Sequence, residues 1–139
     1  MPFALSPLVA GQLGEGTSLD ASVHPPRVSA VEYVLDAPTA EDLIESFPVF
    51  LVSEELAERL EAESFRGFDL APAGVVPSTE YAAAYGAAAH KSYRWLRLQS
   101  DADADFWTED NGQLCVSDRA MHALRNFHLA QCEVEPRPD

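Results

Sequence analysis

A run of carboxylates lies in the second half of the chain, where Asp101, Asp103 and Asp105 alternate with alanine and Glu109 follows. Carboxylates at this spacing begin the calcium-binding loop of an EF-hand, which also needs a glycine at its sixth position and a glutamate at its twelfth. The sixth position here is a phenylalanine and the twelfth is a glycine. The segment therefore fails the calcium-binding motif, and no metal site is predicted.

A tryptophan lies among these acids. An aromatic side chain beside carboxylates can anchor an interface with a basic protein, because the ring supplies buried area and the acids supply charge complementarity. The alternatives are a solvated acidic loop and a Trp107 side chain that points into the core. We expect this segment to contact a protein partner, through Asp101, Asp103, Asp105, Trp107, Glu109 and Asp110.

No catalytic residue and no cofactor are predicted from the remaining side chains. Ser53 and Ser117 each follow an apolar run, but the glycines of a nucleophile elbow are missing, so both are predicted to cap helices. The four histidines show no metal-ligand spacing. Cys115 and Cys132 lie in no C-x-x-C motif and are expected to pack as small apolar residues.

These serines belong to two segments that align without a gap at an offset of 64 residues, over 49–72 and 113–136. In each copy an apolar run ends at the serine, and an acid follows where it meets the positive end of a helix dipole. Alternating apolar residues and a proline then close the copy, as in a strand that terminates. Each copy is therefore predicted to form a strand, a helix and a second strand.

The helix of each copy carries an apolar stripe with a period of three to four residues. Leu56 and Leu60 form it in the first copy, and Ala120, Met121 and Leu124 form it in the second. The opposite face of each helix is predicted to be polar, with Glu55, Arg59, Arg119, His122 and Arg125.

Outside the repeats the local signals are weaker. Four of the ten prolines fall in residues 1–28, which predicts mostly extended coil with one short strand at most. The dipeptide Asn111-Gly112 predicts a hairpin turn before the second copy. The other predicted elements are a strand over 29–35, a short helix over 40–46 capped by Thr39, a helix over 78–90 and a strand over 92–99.

The charge of the chain restricts its partners. Asp and Glu number 23 against 9 Lys and Arg, which gives a net charge of −14 over 139 residues. Such a field repels nucleic-acid phosphate and anionic lipid, and it attracts basic proteins. The alternative explanation is solubility alone. No signal peptide and no membrane span are predicted, so the expected location is the cytoplasm.

The two repeats, FPVFLVSEELAERLEAESFRGFDLAP and LCVSDRAMHALRNFHLAQCEVEP, resemble the immunity-protein-like domains of bacterial toxin–immunity systems. The shared pattern is a valine, a serine and an acid before an apolar helix and a strand, and it covers about a third of the chain. The resemblance implies an α+β fold and neutralisation of a cognate toxin by tight binding. It carries over no catalytic residue.

We therefore expect one α+β domain over residues 1–139, with a mixed sheet, helices packed on one face and the two repeats. The expected function is non-catalytic binding of a basic protein, as in an immunity protein. The alternatives are an adaptor that binds a larger bacterial complex through a sheet edge, and a small-molecule-binding domain with a pocket between the helices and the N-terminal coil. The oligomeric state stays open.

Overall fold

The computed structural model describes residues 1–23, 26–86, 90–99, 101 and 103–138. These residues form three helices and thirteen strands. The helices are α1 (Glu54–Ala62), α2 (Thr79–Tyr85) and α3 (Asp118–Leu124). The strands are β1 (Phe3–Ser6), β2 (Gly11–Leu13), β3 (Ser18–Asp20), β4 (Arg27–Ala30), β5 (Glu32–Leu35), β6 (Leu43–Ser46), β7 (Val49–Ser53), β8 (Phe68–Pro72), β9 (Gly74–Pro77), β10 (Tyr93–Leu98), β11 (Phe106–Thr108), β12 (Leu114–Val116) and β13 (Glu133–Pro136).

Two four-stranded antiparallel sheets form the body of the fold. The first sheet has the strand order β6-β7-β10-β8, and the second has the order β11-β12-β1-β13. In each sheet a hairpin lies on one side and the last strand of a repeat lies on the other. A central strand, β10 in the first sheet and β1 in the second, lies between them. The two sheets are therefore built to the same plan.

The central strands are exchanged between the two halves of the chain. Strand β10 precedes the second repeat in sequence but lies in the first sheet, and β1 precedes the first repeat but lies in the second sheet. Their registers are equivalent, because Arg94 lies opposite Val52 and Phe3 lies opposite Val116, 64 residues further on. Each sheet therefore needs backbone from both halves.

Helices α1 and α3 share one hydrophobic core with the facing sides of the two sheets. Leu56, Leu60 and Leu124 are 0–1% exposed, and Met121 is 2% exposed, so both predicted stripes are confirmed. Burying one such side chain stabilises the fold by roughly 1.5–3 kcal/mol before the entropy of ordering it is counted. Leu5 of β1 and Leu96 of β10 enter the same core, which ties the exchanged strands to the helices.

A third sheet covers the opposite face of the first one. Its order is β2-β5-β9, with β5 and β9 parallel, and it packs with α2 on a second core. Tyr33 of β5 is fully buried there, where its hydroxyl donates to the Glu45 carbonyl at 2.8 Å and accepts from the Ala10 amide at 2.9 Å. Strands β3 and β4 form a separate two-stranded hairpin.

The predicted α+β class is confirmed, and both repeats contain the expected strand, helix and strand. The strands are distributed over four sheets, and the mixed pairing is found in the three-stranded sheet. Helices α1 and α3 contribute to one core and α2 to the other.

The helix predicted over 40–46 is wrong, because this segment contains strand β6. Leu43 and Ile44 are both buried, and they contribute to the two different cores. Neighbouring residues can face opposite sides in a strand, whereas one face of a short helix could not reach both cores. Thr39 does not cap a helix; its hydroxyl accepts from the Glu41 amide two residues on, at 3.0 Å.

Residues 1–28 contain more strand than the single short one predicted. Strands β1, β2 and β3 lie within that stretch and β4 begins at its end. Strand β1 bonds on both sides to strands more than a hundred residues away, which no local signal could reveal.

Two other predicted elements have different bounds. The strand predicted over 29–35 is divided, because β4 ends at Ala30 and β5 begins at Glu32. The helix predicted over 78–90 ends at Tyr85, where Gly86 adopts a φ of 86°. Residues 87–89 of that prediction lie outside the described residues.

Candidate partner-binding surface

Asp105, one of the predicted contact residues, lies inside the protein. Its carboxylate accepts hydrogen bonds from Ser117 Oγ at 2.7 Å, the Arg66 amide at 2.9 Å and the Arg119 guanidinium at 3.0 Å. Burial alone would raise the pKa of this carboxyl, but these hydrogen bonds hold it below its ordinary value. The charge of Asp105 is therefore used within the fold and is not presented on the surface.

Asp42 plays the equivalent role in the first half. Its carboxylate accepts from Ser53 Oγ, the His128 amide and Lys91 Nζ, each at 2.7 Å. Burial opposes ionisation here as well, yet these three donors lower the pKa. Asp42 thus binds the loop after α3, and Asp105 binds the loop after α1. Asp42 therefore links the cap of α1 to the second repeat, and Asp105 links the cap of α3 to the first repeat.

Asp101 and Asp103 both face Arg66, which follows α1. The Arg66 guanidinium lies 3.1 Å from the Asp101 carboxylate and 3.5 Å from that of Asp103. Asp110 lies exposed in the turn between β11 and β12. The predicted contact residues are therefore not one patch, because two of them pair with Arg66 and one is internal.

Trp107 and Glu109 lie on the outer face of the second sheet, the face directed away from the core shared with α1 and α3. Trp107 pairs with Cys115 across β12, Cys115 pairs with Ala4, and Ala4 pairs with Glu135 of β13. Residues opposite one another in a sheet share a face, so these side chains form one row across all four strands. Alternation places Glu109 and Glu133 on the same face as this row. The outer face thus combines one half-buried tryptophan with three glutamates.

Arg137 is the cation associated with this face. Its guanidinium lies 3.3 Å from the Glu109 carboxylate and 3.6 Å from that of Glu135. Cys115 beneath it is 1% exposed, and burial, with the Glu109 charge, raises the pKa of its thiol to about 11 while Arg137 opposes the rise. A thiol with such a pKa is protonated at neutral pH and is a poor nucleophile. Cys115 is therefore a packing residue, as its sequence predicts.

The equivalent face of the first sheet is covered. Its corresponding row consists of Ile44, Leu51, Trp95 and Ala71, all 9% exposed or less. The β2-β5-β9 sheet and α2 pack on them and form the second core. Among the described residues no strand or helix packs on the row of the second sheet in the same way. In the second row Ala4 and Cys115 are also buried, but Trp107 is half-buried and Glu135 is exposed, so the two faces differ at the ends of the row.

A cleft of about 500 Å³ lies elsewhere, between the β3–β4 hairpin, β10 and the turns of the hairpins β6–β7 and β11–β12. Trp95 and Phe50 line it together with Phe47, which is 51% exposed. The cleft uses N-terminal residues, as the small-molecule alternative expected, but its described lining includes no helix residue.

Other chemical groups have structural roles. Ser53 and Ser117 cap α1 and α3 as predicted, by accepting from the Leu56 and Ala120 amides at 3.2 and 3.1 Å.

Within the described part of the chain, no three His, Cys, Asp or Glu side chains converge as metal ligands would. None of the described helices has the length and apolar character needed to cross a membrane.

Comparison with protein-family models, with curated proteins and with solved structures finds no match to this chain. Its function is therefore inferred from its own surface.

Sequence reasoning found Trp107 and Glu109 but missed Glu133, Glu135 and Arg137. The pairing of β12 and β13 with β1 brings these residues to the same face, where Arg137 lies 3.3 Å from Glu109. Sequence reasoning placed Asp42 in a capping box with Thr39 and missed its hydrogen bond with Ser53. A signal for Asp42 existed, since an aspartate lies 11 residues before the first cap serine and 12 before the second.

Proposed function

We propose that this chain is a non-catalytic binding module for a basic protein, and that it works as an immunity protein does, by covering a surface that its partner toxin needs. The observation that supports this proposal is the outer face of the second sheet. It carries a half-buried Trp107 among exposed glutamates, whereas every residue of the equivalent row in the first sheet is buried.

The charges favour a basic partner. Seven of the nine Lys and Arg side chains are engaged in ion pairs within the chain, at Arg59, Arg66, Lys91, Arg94, Arg97, Arg119 and Arg137. Many carboxylates, including Glu133 and Asp110 near this face, have no such partner among the described residues. The net charge of −14 would speed association with a cation-rich surface.

Trp107 would act as the anchor. Tryptophan is enriched among residues that carry most of the binding energy of an interface, and the loss of such a residue costs roughly 2 kcal/mol or more. The glutamates would surround it as a charged rim that excludes water and selects for basic partners.

The first experiment is affinity capture of the tagged chain from its host, with mass spectrometry of the retained proteins. We expect one stoichiometric basic protein that high salt releases and that is toxic when produced alone. Co-production of this chain should restore growth. A large multi-subunit assembly without toxicity would instead support the adaptor alternative.

Variants then locate the interface. Trp107→Ala should weaken binding at least 30-fold, and the double variant Glu133→Lys with Glu135→Lys at least 10-fold. The matched control is a second double variant, Glu15→Lys with Glu80→Lys, because it changes the net charge equally and its two exposed side chains lie in the β2–β3 turn and on α2, outside the second sheet. Equal losses from the two double variants would show that only net charge matters, and would remove this face from the interface.

A further inference from the structure

The cleft near Trp95 is independent of the proposed protein interface. Thr108 of β11 lines the cleft, whereas the neighbouring Trp107 faces the outer side of the second sheet. A volume of about 500 Å³ is within the range of small-molecule sites, roughly 300–1,000 Å³. Most of its lining is apolar, including Trp95, Phe50 and Val28.

The walls of this cleft are in contact before any ligand binds. Gly112 in the turn between β11 and β12 adopts a φ of 86°, and a Cβ added there would lie 2.6 Å from the Phe47 ring. The two hairpin turns therefore contact each other at Gly112, and any side chain at this position would push the turns apart. This contact keeps the cleft preformed at one end, which lowers the ordering cost of binding.

The charge of the cleft is opposite to that of the chain. No Asp or Glu is among its described lining residues, although the chain as a whole carries −14, and two arginines line it, Arg27 and Arg97. Asp69 holds Arg97 through hydrogen bonds of 2.7 and 2.6 Å. Arg27 is exposed and forms no ion pair with a described residue. An anionic group at the mouth of the cleft would give Arg27 the partner that most other cations of the chain already have.

We propose that this cleft binds a small amphipathic carboxylic acid, whose apolar body lies against Trp95 and Phe50 and whose carboxylate pairs with Arg27. The apolar lining supplies the affinity for the body. Arg27 supplies selectivity for an acid over a neutral analogue, because a guanidinium forms a charge-assisted hydrogen bond with a carboxylate. The binding module would then have a small-molecule site that is separate from its protein interface.

The test uses the full chain carrying Trp107→Phe, which leaves Trp95 as the single tryptophan. The probe is 8-anilinonaphthalene-1-sulfonate, an apolar anion that accepts energy from a nearby tryptophan. We expect saturable binding of one probe per chain, with energy transfer from Trp95. Medium-chain and aromatic carboxylic acids should displace it at least 10-fold more effectively than the corresponding alcohols.

Arg27→Glu should weaken probe binding at least 10-fold. The matched control is Arg125→Glu, because Arg125 also forms no ion pair with a described residue and lies on the Phe3 ring, outside the described lining of the cleft. Both side chains are exposed, so both variants should fold, and circular dichroism would check this. Equal effects of the two substitutions, equal displacement by acids and alcohols, or probe binding without saturation would each overturn the proposal.

Discussion

Asp42 and Asp105 show how single buried carboxylates can organise a fold of this size. Each accepts from a cap serine, from the backbone of a distant loop and from a cation. Replacing Asp105 with Asn should lower the free energy of unfolding by about 2–4 kcal/mol, because charge-assisted hydrogen bonds are lost and buried donors are left poorly paired. Urea unfolding measures the loss, and Asp42→Asn should lose a similar amount.

The matched control for this pair is Asp103→Asn. The Asp103 side chain is 78% exposed and its ion pair with Arg66 spans 3.5 Å, so the loss should stay within about 0.5 kcal/mol. If all three variants were equally stable, the two buried carboxylates would have no special role in holding the repeats together.

The same two residues predict a dependence on pH. Their pKa values are lower in the folded protein than the unfolded value of about 3.9. The stability they provide is therefore complete above that value and is lost as the pH falls through the folded pKa values. Glu45 acts in the opposite direction, since burial raises its pKa.

Differences between variants isolate this effect from other titrating groups. The gap in unfolding free energy between the wild type and Asp105→Asn should be widest at neutral pH and should narrow below about pH 4. Urea unfolding at pH 7, 5, 4 and 3 measures it. A gap that stays constant down to pH 3 would mean that ionisation of Asp105 contributes nothing.

At the scale of elements, the three helix caps differ in a way that can be measured. Ser53 and Ser117 each accept from a helix amide and also donate to a buried aspartate. Ser78 caps α2 by accepting from the Tyr81 amide at 3.1 Å, without an aspartate behind it. Ser78→Ala should cost about 1 kcal/mol, the ordinary value of a cap.

Ser53→Ala and Ser117→Ala should each cost about 1 kcal/mol more than Ser78→Ala, because the aspartate also loses a donor. Denaturant unfolding of the three single variants gives the comparison. A larger loss for Ser78→Ala would contradict the coupling of cap and carboxylate.

The elements also show what a sequence can predict. The repeats were predictable because a cap, a stripe and an alternation are local patterns, and Ser53 and Leu56 carry them within a few residues. Strand β6 was not predictable, because the acid and leucine content of 40–46 is typical of a helix. A strand forms because Leu43 and Ile44 are buried in two different cores. Tertiary contacts decide such segments.

The candidate surface was predictable only in part, for the same reason. Trp107 and Glu109 are close in sequence, so their acidic and aromatic context was visible. Glu135 joins them through the pairing of β12 and β13 with β1, which comes from the opposite end of the chain. Asp105 lies two residues before Trp107 but precedes β11, so strand alternation does not decide its direction; its carboxylate turns inward because Ser117, Arg66 and Arg119 donate to it there.

The whole molecule carries a net charge of −14, and its stability should therefore respond to salt. Raising NaCl from 0.02 to 0.5 M should increase the free energy of unfolding by about 1 kcal/mol, because salt screens the repulsion among exposed carboxylates. Urea is the suitable denaturant, since it adds no ions. A decrease in stability would instead show that the surface ion pairs outweigh the repulsion.

The exchange of central strands predicts that the two halves fold as one unit. Deleting residues 1–6 removes β1. Strand β12 then keeps only β11 as a neighbour, and β13 loses the one strand it pairs with among the described residues. Leu5 also leaves the core that α1 and α3 share. Total stabilities of about 5–15 kcal/mol leave little margin for losing a central strand, so the deletion should abolish cooperative folding in both sheets.

Two tryptophans report on the two sheets separately, since Trp95 lies in the first and Trp107 in the second. Single-tryptophan variants of the full-length chain should unfold with one shared urea midpoint by fluorescence, and the deletion should remove both transitions. If the Trp95 transition survived the deletion with its midpoint unchanged, the first sheet would fold alone. The reciprocal strands β1 and β10 would then join two independent units instead of forming one cooperative structure.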